Sequence, residues 1–362
     1  MRRVIFRRLV FALLVWTLGL PAHQAAAQEN SLPTGKGLPI RVKAAVAFVE
    51  VSAFNENAGT FKATVDVRLR WEDPRLQRPA VEATDPPRVY RGAEVHAQLA
   101  KLWVPNVELV NRRGRATYAA DGLRIYPDGR VDLIKRTSAE FTTAFDVERF
   151  PFDRQKLRLE VAIRDRTSDV VMLEFDQDDL DFSRAASTAT LDGWDLGPVT
   201  LRNDPLIGWH GDSHARVQAS LEVTRQSGAV AAAIFVPLFA SLLIPLLGIW
   251  LNRTEDGKFQ IETFEFVNLI VGGLFAVIAL NFTVNSMYQV LSSGDNPVNR
   301  LFILNYVTLG ISLMVNVLLF RFSVVERLLG RYVQEQLYLF LMWAVPLLVM
   351  TMASAVVLVA LA

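Results

Sequence analysis

Residues 266–291 contain no charge, yet they hold Asn268, Gly272, Gly273, Asn281, Thr283, Asn285 and Ser286. Polar groups on an apolar helix are costly in hydrocarbon, so they must face protein or water. At spacings of three and four, Glu265, Asn268, Gly272, Phe275, Ala279, Phe282 and Ser286 fall on one helical stripe. A carboxylate, an amide, a glycine, two phenylalanines and a hydroxyl in file have a definite capability. They can concentrate a cation, exchange hydration with it, leave it room and close on it with apolar rings. None of this is covalent chemistry, and the signatures of covalent chemistry are missing. There is no Gly-x-x-x-x-Gly-Lys-Ser/Thr loop, no His-Glu-x-x-His and no Gly-x-Ser-x-Gly. Cysteine is absent, which removes disulfides, thiolate nucleophiles and zinc clusters. The reading is of a protein that is not an enzyme and needs no cofactor or metal.

Such a stripe needs helices that cross a membrane. Hydrophobic residues make up 51% of the 362-residue chain and charged residues 21%, a composition that leans towards membrane. Residues 229–251, 266–291, 301–320 and 337–362 are charge-free, and each reaches the ~20 residues that cover a ~30 Å hydrocarbon core. Four helices are therefore expected near 229–251, 262–288, 298–322 and 337–361. Arg321, Arg327 and Arg331 follow the third span and put that connector on the cytoplasmic side. Pro237, Pro245 and Pro346 lie within spans, where neighbouring helices can satisfy the freed carbonyls. Asn305, Thr308, Ser312 and Asn316 share one face of the third span and read as hydrogen-bonding glue between helices. With 38 basic and 37 acidic side chains there is no global field to hold nucleic acid.

The first half of the chain obeys a different period. Arg2, Arg3, Arg7 and Arg8 around the apolar run 9–20, followed by Ala25, Ala26 and Ala27, read as a secretory signal peptide, residues 1–27. Residues 41–51, 60–71, 131–135, 141–146, 156–164 and 217–225 read as strands, rich in β-branched and aromatic side chains. In residues 60–70, Phe61, Ala63, Val65, Val67 and Leu69 alternate with Lys62, Thr64, Asp66, Arg68 and Arg70, the mark of one buried face. Turn signals between the runs, such as Pro127-Asp128-Gly129, suggest an antiparallel, immunoglobulin-like β-sandwich over residues 28–225, ahead of a four-helix transmembrane domain over 226–362.

Phe150-Pro151-Phe152-Asp153-Arg154-Gln155 resembles the loop that names the Cys-loop receptors, the pentameric ligand-gated ion channels. The two bracketing cysteines of eukaryotic members, with thirteen residues between them, are Thr143 and Leu157 here, as in the prokaryotic branch that lacks the disulfide. Other landmarks follow in the family's order: Trp71-Glu72-Asp73, Trp103-Val104-Pro105 with Asn111, Arg225 just before the first span, and Pro237 within it. The resemblance implies a homopentamer in a bacterial inner membrane, among membrane lipids, with its N-terminal domain and its C-terminus in the periplasm. It places the pore on the stripe of Glu265, Asn268, Gly272, Phe275, Ala279, Phe282 and Ser286. Glu265 would then select permeating monovalent cations, while Phe275 and Phe282 would gate. Phe150, Pro151, Phe152, Asp153, Arg225 and Pro297 would couple sandwich to helices, with Asp153 able to pair with Arg225.

The same resemblance implies an unidentified small-molecule agonist bound between subunits. The positions that carry the family's aromatic cage are Val110, Arg164 and Asp66 here, which does not suit an acetylcholine-like cation. Asp66, Arg68, Arg164 and the lone aromatic Trp209 point instead to a charged or polar agonist. His210 and His214 read as a solvated hairpin tip, with proton sensing as the sharper option. Asp176, Asp178, Asp179 and Asp181 read as a solvated loop, with calcium as theirs. A proton-gated or calcium-modulated channel, or a membrane-anchored periplasmic sensor without conduction, are the alternative readings.

Overall fold

The computed structural model describes residues 31–78, 86–250, 253–255, 258–260 and 263–361. The expected signal peptide, residues 1–27, lies outside the described residues. The first half is a sandwich of two sheets. One is six-stranded, in the order β3 (Arg88–Arg91), β5 (Arg112–Ile125), β6 (Arg130–Thr142), β2 (Thr60–Glu72), β1 (Ile40–Asn55), β8 (Val171–Glu174). The other is four-stranded: β4 (Val107–Leu109), β7 (Arg154–Ile163), β12 (Arg216–Arg225), β9 (Trp194–Asn203). The alternation of β2 carries straight into the packing. Phe61, Ala63, Val65, Val67 and Leu69 are buried in one core with Leu157, Leu159 and Val161 of β7 and Leu221 and Val223 of β12.

Two segments differ from the sequence reading. Residues 131–135 and 141–146 do not form separate strands. β6 is continuous because β2 runs beside it in unbroken register from Thr60↔Thr142 to Glu72↔Arg130, so the polar stretch between them stays hydrogen-bonded. Residues 143–146 have left the sheet. The acidic cluster is not a solvated loop but the short helix α2 (Gln177–Phe182), with α1 (Ala93–Leu99) the helix before it. Asp176 caps it and completes a capping box with Asp179. Asp179 is fully buried, its Oδ1 accepting from Arg70 at 2.6 Å and Arg68 at 2.8 Å. These carboxylates hold a helix onto the six-stranded sheet, and among the described residues no three metal-ligating side chains converge on one point.

Four helices long and apolar enough to cross a membrane follow: α3 (Ser227–Trp250), α4 (Thr263–Met287), α5 (Pro297–Val315, prolonged by a π-helical turn to Arg321) and α7 (Arg331–Leu361). A short α6 (Val324–Leu329) joins the last two. α7 starts six residues before the expected 337, because Gln334 and Tyr338 dock on the bundle although the first turns are polar.

The polar face of α5 is buried in the bundle. Ser312 Oγ donates to the Pro245 carbonyl at 2.8 Å, and Asn305 accepts from Ser241 Oγ at 2.8 Å while donating to the Leu301 carbonyl at 3.1 Å. Such interhelical bonds are individually modest in a membrane. Asn305→Leu is expected to destabilise the bundle by about 1 kcal/mol, read as a lower thermal midpoint of the detergent-solubilised chain. An unchanged midpoint would mean that the Ser241–Asn305 contact contributes nothing.

Candidate functional site

The helix α4 has two unlike faces. Phe266, Ile270, Gly273, Val277 and Val284 are buried against the chain's own bundle. Glu265, Asn268, Gly272, Phe275, Ala279, Phe282 and Ser286 are all exposed, with Phe275 at 68% and Phe282 at 75%. At 100° per residue these two sets lie on opposite sides of the helix. The adjacent glycines mark the division. A Cβ on Gly273 would meet Ile244 Cγ2 at 2.9 Å, whereas one on Gly272 would meet nothing within 4 Å. The remaining polar groups turn elsewhere: Asn281 Nδ2 donates to Tyr306 Oη of α5 at 3.4 Å, Asn285 donates to Asn281, and Thr283 returns to the Ala279 carbonyl. The stripe thus lies on the side of α4 opposite its buried face.

At the other end of α4, the sandwich meets the helices through a tight junction. Phe150 is fully buried and belongs to the hydrophobic cluster of the bundle, not to that of the sandwich. Its ring lies 5.1 Å from that of Tyr288, just beyond α4, and Phe152 stacks on Phe235 of α3 at 6.0 Å. Val147 of the same loop abuts the linker from α4 to α5, where a Cβ on Gly294 would meet Val147 Cγ2 at 2.8 Å. Pro297 is buried at the first turn of α5, which Asn296 caps by accepting from Asn299 N at 2.9 Å.

Arg225, the last residue of β12, is the centre of this junction. Its Nε donates to Asp153 Oδ1 at 2.7 Å and its Nη1 to Glu56 Oε1 at 2.7 Å, Glu56 lying in the turn between β1 and β2. The guanidinium sits over Trp194 at 4.2 Å and Phe150 at 4.9 Å. Asp153 is held from the other side by Gln155 Nε2 at 2.6 Å. Burial works against the Arg225 charge, but the hydrogen bonds and charges of Asp153 and Glu56 outweigh it and hold the pKa above the ordinary arginine value. One guanidinium therefore ties together the Phe-Pro-Phe-Asp loop, the β1–β2 turn, β9 and the entry to α3. Glu56, Gln155, Trp194 and Tyr288 were not singled out from the sequence. Only Gln155 carried a local signal, as the last residue of the quoted motif.

The residues considered for an agonist are divided between the sheets. Asp66 and Arg68 lie on β2, whereas Arg164 follows β7 and Trp209 lies between the short strands β10 (Leu206–Ile207) and β11 (Ser213–His214). Asp66 accepts two bonds of 2.7 Å from Arg136, which raise the Arg136 pKa. Arg68 is taken by Asp179 and lies over Phe182 at 4.3 Å. Arg164 approaches Glu108 at 3.7 Å on the surface, and Trp209 is 97% exposed. Within one chain these four do not form a pocket.

Comparison with known proteins adds three findings. Residues 27–227 match the model of the neurotransmitter-gated ion-channel ligand binding domain. A proton-gated ion channel of Gloeobacter violaceus is 25% identical over 249 residues, covering 68% of this chain and 64% of the relative. The gamma-aminobutyric acid receptor subunit theta of Mus musculus and the glycine receptor subunit beta of Homo sapiens are 20% and 21% identical, each match covering 61% of this chain but 34% and 44% of those subunits. The chain thus spans less than two thirds of the length of each of these relatives.

Proposed function

Through its neurotransmitter-gated ion-channel ligand-binding domain this chain belongs to the pentameric ligand-gated ion-channel family, and on that premise we propose that it is a subunit of a homopentameric, cation-preferring channel. It is a multi-pass membrane protein, with four helices that can span, and we place it in a bacterial inner membrane with the sandwich (28–225) and the C-terminus in the periplasm. The observation that carries the reading is the exposed stripe of α4. Glu265, Asn268 and Ser286 turned towards lipid would be costly. Turned towards a common axis by five copies, they line water. Glu265 then forms an acidic ring at the cytoplasmic mouth, and Phe275 and Phe282 form apolar rings that close the passage by dewetting. A small-molecule agonist that favours the open state differentially shifts the sandwich, and Phe150, Pro151, Phe152, Asp153, Arg225 and Pro297 pass the movement to the ends of α3, α4 and α5. Asp66, Arg68, Arg164 and Trp209 can meet only across a subunit boundary, where they favour a polar or charged agonist.

The test is planar-bilayer recording of the purified protein with ion substitution during a ligand screen. Glu265→Gln is expected to move the reversal potential in a salt gradient towards zero, because the ring loses its charge. An unaltered reversal potential would remove Glu265 from selectivity, and no conductance under any ligand would remove the channel reading.

Proton gating is favoured by one specific feature besides the Gloeobacter relative's name. Asp132 of β6 is largely buried, its Oδ1 has no hydrogen-bond partner, and burial pushes its pKa above the ordinary aspartate value despite Arg68, Arg124, Arg70 and Arg130. A carboxyl whose folded pKa is raised holds its proton in the native state at pH values where the unfolded chain has lost it. Its contribution to stability is full below the unfolded pKa of ~3.9 and is lost as pH rises through the folded pKa. Asp132→Asn is expected to flatten the pH dependence of unfolding in mild acid and to shift the pH of activation. Identical pH profiles in both assays would end this reading.

A further inference from the structure

A cavity of about 580 Å³ opens at the end of the six-stranded sheet, between the starts of β1 and β6 and the ends of β2 and β8. This is the end remote from the helices, since the β1–β2 turn at the opposite end carries Glu56 to Arg225. The floor is a patchwork of charge set by strand register. Glu72 pairs with Arg130, and Arg70 lies between Lys43 and Asp132. Lys43 in turn faces Glu174 on β8. Read across β8, β1, β2 and β6, one row is Glu174, Lys43, Arg70 and Asp132, two basic side chains flanked by acidic ones at the spacing of neighbouring strands, ~4.8 Å.

Most of these charges are already paired: Lys36 with Glu72, Arg41 with Glu174 at 3.3 Å, and Lys43 with Asp176 at 2.8 Å. Arg130 is the exception. It forms no ion pair among the described residues, and its guanidinium lies 4.1 Å above the Tyr126 ring, with Asp132 the nearest acid on its own strand. Its planar fork is suited to a carboxylate. Glu72, Glu174 and Asp176 are each held by a basic side chain within the cavity, and a carboxylate has about four lone-pair sites, so they can also accept from an ammonium group.

We propose that this apical cavity binds a small zwitterion of the amino-acid class, its carboxylate on Arg130 and its ammonium among Glu72, Glu174 and Asp176. A molecule of one charge sign meets both attraction and repulsion on such a floor. One that carries both charges, separated by about one strand spacing, meets attraction at both ends. The volume lies within the ~300–1,000 Å³ of small-molecule sites. The site lies within one subunit, on a different part of β2 from Asp66 and Arg68, and does not depend on conduction.

The experiment is calorimetric titration of the purified full chain at neutral pH with β-alanine, and separately with propionate and ethylamine, each carrying one of its charges. β-Alanine is expected to bind saturably and at least ~10-fold more tightly than either single-charge probe, a difference of about 1.4 kcal/mol. Arg130→Gln, an exposed position, is expected to weaken β-alanine binding at least tenfold with an unchanged unfolding midpoint. Equal binding of propionate or of ethylamine would reduce the cavity to a site for a simple anion or cation. No saturable β-alanine binding, or binding indifferent to Arg130→Gln, would overturn the proposal.

Discussion

Arg225→Ala is expected to be the most damaging single substitution in the sandwich. It removes the ion-pair partner of Asp153, which is 2% exposed, and of Glu56. Breaking a buried pair from one side costs ~3–5 kcal/mol, because the stranded charge cannot be rehydrated. Two further losses add to this. The rings of Trp194 and Phe150 no longer flank a cation, and the loop bearing Phe150 loses its anchor on β12. Arg225→Lys keeps the charge but not the fork or the ring stacking, and should recover only part of the stability. The decisive comparison is Arg225→Met combined with Asp153→Leu and Glu56→Gln. With both carboxylates gone the buried charge problem disappears, so the triple variant should unfold at a higher temperature than Arg225→Ala alone. If the single and triple variants lose stability equally, packing of the guanidinium between the rings matters more than its charge pairing.

This junction shows how far a sequence of this kind can be read. Phe150 to Gln155 is conspicuous because two aromatics, a proline and an acid follow one another within six positions. Asp153 and Arg225 are 72 positions apart and Glu56 and Arg225 are 169 apart; no local pattern marks Glu56 among the chain's other acids. The same limit applies to the sheets. β2 is legible because its inner face is uniformly apolar. β5 is not, because its first half, Arg112 to Tyr118, is mostly exposed and arginine-rich and leaves the ladder at an irregularity between Arg113 and Tyr118. Its extended form is imposed by β6, a tertiary cause that overrides local preference. The acidic run from Asp176 to Asp181 was misread for a related reason. Asp176, Asp178 and Asp179 are met by Arg68 and Arg70, more than a hundred residues earlier, so composition alone made them look solvated. In the helices the lipid core imposes length and apolarity on each span, and the spans were legible for that reason. The face of α4 was legible because polar atoms in such a span have few places to go.

Phe275→Ser tests where those atoms go, and it carries the second large effect. Phe275 and Phe282 are seven residues apart, so their rings are separated by about 10 Å along the helix, with Ala279 between them on the stripe. On the proposed reading five copies enclose a continuous apolar stretch, and its length, not only its width, keeps water out. A hydroxyl ring at 275 shortens it to Phe282 alone. Resting ion flux through agonist-free protein in vesicles is then expected to rise at least ~10-fold, about 1.4 kcal/mol of barrier. Phe275 is 68% exposed within its own chain, so yield and thermal midpoint should stay near those of the parent. Leu347→Ser, an exposed position on α7, is the matched control and should leave resting flux unchanged. The alternative role for Phe275 is contact with lipid or with a neighbouring subunit, and it has the opposite signature. In that case Phe275→Ser would lower yield or loosen the assembly while flux stayed at its resting level, and the stripe could not be the conduit.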